Sequence, residues 1–197
     1  METPCAAREA ARYRKAAEQN HAGAQATLAG CYYGGRGAAK DDVEAVKWCR
    51  KAADQNHAEA QCNLGFFYAH GEGITKDATE AVKWYRKAAT QNYAIAEFNL
   101  GCCYAKGEGI STNLVESVMW YRKAAEQNHF FAQYALASCY CKGEGVAQNA
   151  LETYRWALLA AAQGHENAKG LVTQMELIMT PQQIAEGQRL VRAFKPR

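Results

Sequence analysis

Residues 60–95 read AQCNLGFFYAHGEGITKDATEAVKWYRKAATQNYAI, and residues 96–131 read AEFNLGCCYAKGEGISTNLVESVMWYRKAAEQNHFF. The second stretch is the first one copied, with no insertion or deletion. In the front half of 60–95, Ala60, Leu64, Gly65 and Tyr68 fall at i, i+4, i+5 and i+8, one apolar stripe of an α-helix. In the back half, Ala81, Trp84, Tyr85, Ala88 and Ala89 fall at i, i+3, i+4, i+7 and i+8, again helical spacing. Between them lies G-x-G, whose first glycine suits the left-handed residue that ends a helix. The unit therefore reads as helix, loop, helix.

The same unit extends in both directions. Residues 24–59 and 132–167 are further copies, so that Trp48, Trp84, Trp120 and Trp156 stand 36 residues apart. The loop glycines recur as Gly35 and Gly37, Gly71 and Gly73, Gly107 and Gly109, and Gly143 and Gly145. Asp41, Asp77, Asn113 and Asn149 sit where the second helix needs an N-cap. Glu44, Glu80, Glu116 and Glu152 follow three residues later, as in a capping box. Small residues at Ala29, Gly65, Gly101 and Ala137 let the two helices approach. Residues 1–23 supply a half-unit that opens on a second-type helix, and 168–197 a degenerate half-unit with a closing helix. Thr3-Pro4 and Thr180-Pro181 each read as an N-cap followed by proline at the first helical position. Arg50-Lys51 becomes Leu158-Leu159 in the last copy. The closing helix is expected over that apolar face through Ile184, Leu190, Val191 and Phe194. A helix pair cannot bury both of its faces alone, so stability must come from stacking neighbours.

Of 197 residues, 23 are basic and 20 acidic, a net charge of +3. That balance argues against nucleic acid or an anionic membrane as partner. No stretch has the run of about 18 or more apolar residues that a membrane span requires. The N-terminal residues carry no apolar core of a secretory signal. Eight cysteines are present. Cys31, Cys103 and Cys139 share one repeat position. Equivalent residues of adjacent units stand about 8–10 Å apart, beyond the ~7 Å that a disulfide allows. The thiols therefore read as small packing groups. Cys139 and Cys141 form C-x-C and Cys102-Cys103 a vicinal pair, but no second pair stands at zinc-ligand spacing.

The pattern A-x-x-x-L-G-x-x-Y-x-x-G-x-G-[IV] followed by D-x-x-E-A-x-x-W-Y-R-K-A-A-x-Q resembles the Sel-1-like repeat, a relative of the tetratricopeptide repeat. The resemblance covers Arg8 to Ala168. It implies an all-α, right-handed superhelical solenoid, here of about eleven helices. It also implies an adaptor role in protein complexes, often bacterial. No catalytic residue, metal ligand or cofactor comes with the repeat. A cysteine-rich branch staples its helices by a disulfide at the position of Ala53, Ala89 and Ala125. Alanine there sets this chain apart from that branch and points to a reducing, cytoplasmic setting.

Where copies agree, the residues read as scaffold. His21, His57, His129 and His165 share one turn position and cannot converge on one ion. The G-x-G loops follow a helix, unlike phosphate loops, which follow a strand. Lys47, Arg50, Lys51, Lys83, Arg86, Lys87, Arg122 and Lys123 form a basic stripe expected to be solvated on the convex side. Where copies differ, the residues read as function. On the first helices, opposite the A-L-G-Y stripe, the positions are Ala26, Cys62, Phe98 and Tyr134; Gly30, Phe66, Cys102 and Ser138; and Gly34, His70, Lys106 and Lys142. Asn63 and Asn99 flank them. Phe66, Phe98 and Tyr134 are the expected aromatic anchors of a concave groove. The expected activity is non-catalytic binding of a protein or peptide by a monomer. The alternatives are a repeat-based hydrolase, for which no residue argues, and a self-associating structural unit.

Overall fold

The computed structural model describes residues 4–197, with side chains from Arg8 onward. The N-cap expected at Thr3 and the thiol of Cys5 lie outside these limits. The elements are α1 (Pro4–Glu18), α2 (Ala22–Gly34), α3 (Asp42–Asp54), α4 (Ala58–His70), α5 (Ala78–Ala89), α6 (Ala94–Lys106), α7 (Leu114–Glu126), α8 (Phe130–Lys142), α9 (Ala150–Ala162), α10 (Glu166–Ile178) and α11 (Pro181–Arg192). The described residues are all-helical with no strand, and their 36-residue period gives the solenoid fold. Two compact units emerge, one ending at Tyr93 and the other running from Ala94 to Arg197.

In the first unit, α2 pairs with α3 and α4 with α5, while α1 packs on α2 and α3 on α4. Leu28 and Leu64 are fully buried between them. Gly65 is required by contact: a Cβ there would lie 2.7 Å from the Tyr85 ring. In the second unit, α6 pairs with α7, α8 with α9, and both α10 and α11 pack on α9. Phe194 meets Trp156 edge-on at 5.8 Å. Val191 and Phe194 pack on the core that contains Leu159, and Ile184 packs on the core beside Leu158.

The loop glycines differ from expectation in one respect. Only the first of each pair was expected to need the left-handed conformation, and Gly35, Gly71, Gly107 and Gly143 do adopt it, with φ between +61° and +76°. The second of each pair adopts it as well: φ is +75° at Gly37, +66° at Gly73, +72° at Gly109 and +71° at Gly145. Two of these second glycines also make a close approach. A Cβ on Gly73 would sit inside the contact radius of the Asp42 carbonyl, and one on Gly145 inside that of the Leu114 carbonyl. The loop of one repeat thus rests on the start of the previous second helix, a contact between repeats that the G-x-G spacing does not announce.

The turns between repeats are built by the Q-N-H run. Asn20, Asn56, Asn92 and Asn128 adopt φ between +58° and +66°, with Gly164 at the equivalent place. Asparagine tolerates this left-handed conformation better than other non-glycine residues. The histidine that follows is the N-cap of the next first helix: His57 Nδ1 accepts the Ala60 N–H at 3.3 Å, and His129 Nδ1 the Ala132 N–H at 3.2 Å. The turn histidines thus satisfy orphan helix donors. Buried amides then tie neighbouring repeats. Gln61 Nε2 donates to Ala53 O and Asn56 Oδ1, and Gln91 Nε2 donates to Asn56 Oδ1 and to Gln61 Oε1 at 2.7 Å. The second unit repeats this with Gln133 and Gln163.

Two further expectations need correction. In the basic stripe Lys47, Lys51, Lys83, Arg86, Lys87 and Lys123 are exposed as expected, whereas Arg50 and Arg122 are half-buried. Arg50 donates to the Tyr68 hydroxyl at 2.6 Å, and Arg14 and Arg122 do the same to Tyr32 and Tyr140. Lys51, Lys87 and Lys123 lie over the rings of Trp48, Trp84 and Trp120 at 4.2, 3.8 and 4.1 Å. These cations are repeat-to-repeat ties and ring covers. The capping boxes also differ. Asp77 accepts the Glu80 N–H, but the Glu80 carboxylate turns to Lys83 at 2.5 Å. A reciprocal box forms at the start of α11, between Thr180 and Gln183.

Candidate functional site

The variable positions of the first helices form a separate surface in each unit. In the first, α2 and α4 place Gly30, Tyr33, Asn63, Phe66 and Phe67 around a cleft of about 90 Å³. Phe66 is half-buried and Asn63 exposed. Tyr33 meets Phe67 edge-on at 5.4 Å and Phe66 at 6.1 Å. His70 lies against Phe66 at 4.2 Å, its Nδ1 2.9 Å from the Phe66 carbonyl, so it holds the last turn of α4. Cys62 was expected on this surface, but it is 3% exposed. The site of Phe98 and Tyr134 is a half-buried position, and a side chain as short as cysteine does not reach out of it.

In the second unit, α6, α8 and the start of α10 enclose a larger cleft of about 400 Å³. Phe98, Cys102, Tyr134 and Ser138, all half-buried, line it. The floor includes Tyr121, which packs on Phe98 at 5.7 Å and donates its hydroxyl to Cys102 Sγ at 3.5 Å. Burial raises the thiol pKa of Cys102, and pushes those of Cys103 and Cys139 up to about 11. Thiols so desolvated are poor nucleophiles at neutral pH. Lys106 and Lys142 are exposed and not among the lining residues; Lys106 lies 3.9 Å from Glu108, and Lys142 lies at the rim, 3.9 Å from the lining residue Glu144. Asn99 is half-buried on α6.

The turn histidines contribute more than a cap here. His165 stacks on Tyr134 at 4.3 Å, and His129 lies on Phe98 at 5.0 Å. Burial lowers the pKa of His129. Both rings accept a backbone N–H at Nδ1, His129 from Ala132 and His165 from Ala168.

Sequence reasoning missed Tyr33, Phe67, Tyr121, Phe131 and His165 as lining groups. For Phe131 the signal was present. Phe130-Phe131 stands where the other copies have Ala22-Gly23, Ala58-Glu59 and Ala94-Ile95. Phe131 is 48% exposed and stacks near Phe98 at 6.1 Å. Tyr121 gave no such signal, because a ring at the packed repeat position reads as core.

A family model for the Sel1 repeat matches residues 13–21, 22–57, 58–93, 94–129 and 131–165. The Sel1 repeat protein from Oxalobacter formigenes is similar in structure, with a TM-score of 0.79 and 34% identity over 91% of this chain and 74% of its own. So is c5321, a protective antigen present in uropathogenic Escherichia coli strains and displaying an SLR fold, with a TM-score of 0.80 and 33% identity. That match covers 93% of this chain, which spans 40% of the antigen's own. No curated protein matches the chain. No described helix is long and apolar enough to cross a membrane. With matched repeats from residue 13 to residue 165 and the helix pairs that they encode, this chain belongs to the Sel1 repeat family.

Proposed function

We propose that the chain is a non-catalytic adaptor that binds a protein or peptide segment along the concave face of its first helices. Sel1 repeats generally serve as protein-interaction scaffolds. The observation that carries the proposal is the second-unit cleft, where half-buried aromatic rings, Phe98 and Tyr134, line about 400 Å³ of open space. Binding energy concentrates in such anchors, with polar groups at the rim supplying register. Asn63, Phe66 and His70 form the first-unit contact set. Asn99, Cys102, Lys106, Ser138 and Lys142 join Phe98 and Tyr134 in the second. The partner is a protein and not nucleic acid or membrane, and the adaptor acts as a monomer. A reducing, cytoplasmic setting is proposed from the cysteines, since Cys31, Cys49, Cys62, Cys102, Cys103, Cys139 and Cys141 are free thiols among the described residues.

The test is affinity capture from the native lysate with Phe66→Ala plus Phe98→Ala. Both rings are half-buried, and helix content is checked by circular dichroism. Loss of the captured partner at unchanged helicity is the expected result. Undiminished capture by a folded double variant removes the groove assignment.

A further inference from the structure

The geometry points to a cationic side chain, a lysine or arginine of the bound segment, as the group that fills the second-unit cleft; this rests on the adaptor reading and names the chemistry of its partner. Four aromatic rings line the cleft: Phe98, Tyr121, Phe131 and Tyr134. Ring faces carry negative charge density, and a cation set among them is attracted electrostatically. The one formally charged side chain among the lining residues is an acid, Glu144. His165 closes the end of the cleft, its Nδ1 accepting the Ala168 N–H. The remaining hydroxyl and amide lining, Ser117, Ser138 and Asn167, includes oxygens that can accept a hydrogen bond.

Charge complementarity separates this occupant from a neutral apolar one. A leucine or phenylalanine anchor satisfies the rings but leaves Glu144 unused. A lysine or arginine satisfies both, because its stem packs on apolar surface while its head reaches the carboxylate. Lys142 is the competing cation. It lies 3.9 Å from Glu144 with both side chains at least half exposed, a solvent-screened pair. The incoming cation replaces it at little cost. The first-unit cleft is smaller, at about 90 Å³, and has no carboxylate among its lining residues, which assigns the cation to the second unit.

Blocked pentapeptides with lysine, arginine or norleucine at the centre provide the probe, titrated into the intact protein and followed by NMR at His165, Tyr134 and Phe131. Norleucine keeps the stem and removes the charge. The expected result is that the lysine and arginine peptides shift these resonances and bind about fivefold more tightly than the norleucine peptide. Glu144→Gln should erase most of that preference, and Phe131→Ala should weaken the cationic peptides. Both residues are exposed, so the variants retain the fold. Equal or tighter binding of the norleucine peptide overturns the inference and makes the cleft a neutral anchor slot, with the adaptor reading intact. Failure of all three peptides to shift the cleft resonances also overturns it. Only the Phe66→Ala plus Phe98→Ala capture experiment removes the adaptor reading itself.

Discussion

Glu97 shows how one residue can break a repeat from inside. Gln25, Gln61 and Gln133 occupy the same position in the other copies and are buried, as is Glu97 at 1% exposure. Gln127 Nε2 donates to the Glu97 carboxylate at 2.7 Å, as Gln91 donates to Gln61. Burial raises the Glu97 pKa, and Lys123 and Gln127 only partly oppose this. A carboxyl whose folded pKa is raised binds its proton more tightly in the folded state. Its destabilising effect therefore develops as pH rises from the ordinary carboxylate value through the raised one. Glu97→Gln restores the amide, so the variant should be more stable at neutral pH by on the order of 1 kcal/mol. The gain should vanish in acid, below the ordinary carboxylate pKa. Urea denaturation at a series of pH values measures the difference, and a gain independent of pH contradicts the account.

The turn histidine is the corresponding device at the scale of a helix. As the N-cap of α8, His129 accepts the Ala132 N–H, and only an unprotonated Nδ1 can do so. Its folded pKa is lowered by desolvation. The sign is opposite to that of a histidine gaining an acid partner: stability is full above the unfolded pKa of about 6.5 and falls as pH drops through it towards the lowered value. His129→Asn keeps a good N-cap and removes the titration. Its thermal midpoint should change less than that of the parent between pH 7.5 and pH 5.5, by about 1 kcal/mol of stability when expressed through the unfolding enthalpy. The same reasoning separates element from residue in the second helices. Asp77 and Asn149 cap α5 and α9 through one N–H each, while the glutamates at the third position serve the helix surface instead.

At the scale of the whole molecule, an array of repeats must end without exposing its stacking face. The last second-type helix, α9, has Leu158 and Leu159 where others have Arg and Lys, and α11 covers it. Gly187 makes the close approach feasible, since a Cβ there would lie 2.5 Å from the Tyr154 ring. Arg197 reaches Glu126 at 3.1 Å and donates its N–H to the Glu126 carbonyl, so the chain end is tied to α7. Ending the chain after Met179 should uncover Tyr154, Trp156 and Leu159. The thermal midpoint should fall by at least about 5 °C, with faster amide exchange in α9 and α10 and new binding of a hydrophobic dye. An unchanged midpoint denies α11 its covering role.

The helix pairs, the first glycine of each loop, the acidic and amide caps and the closing helix were legible in the sequence. Each rests on local spacing: a 3.6-residue stripe, a left-handed residue, a donor three positions away. Repetition multiplied every signal, and the copy-to-copy differences directed attention to Phe66, Phe98 and Tyr134. Tertiary structure decided what spacing cannot encode. It set the second loop glycines Gly73 and Gly145 against carbonyls of the preceding repeat. It buried Cys62, turned the arginines of the second helices onto tyrosines eighteen residues later, and set the caps His129 and His165 against Phe98 and Tyr134. It also joined Tyr121, Phe131 and Glu144 into one cleft with them. Those contacts cross from one helix pair to the next, and their partners are fixed by stacking geometry rather than by distance along the chain.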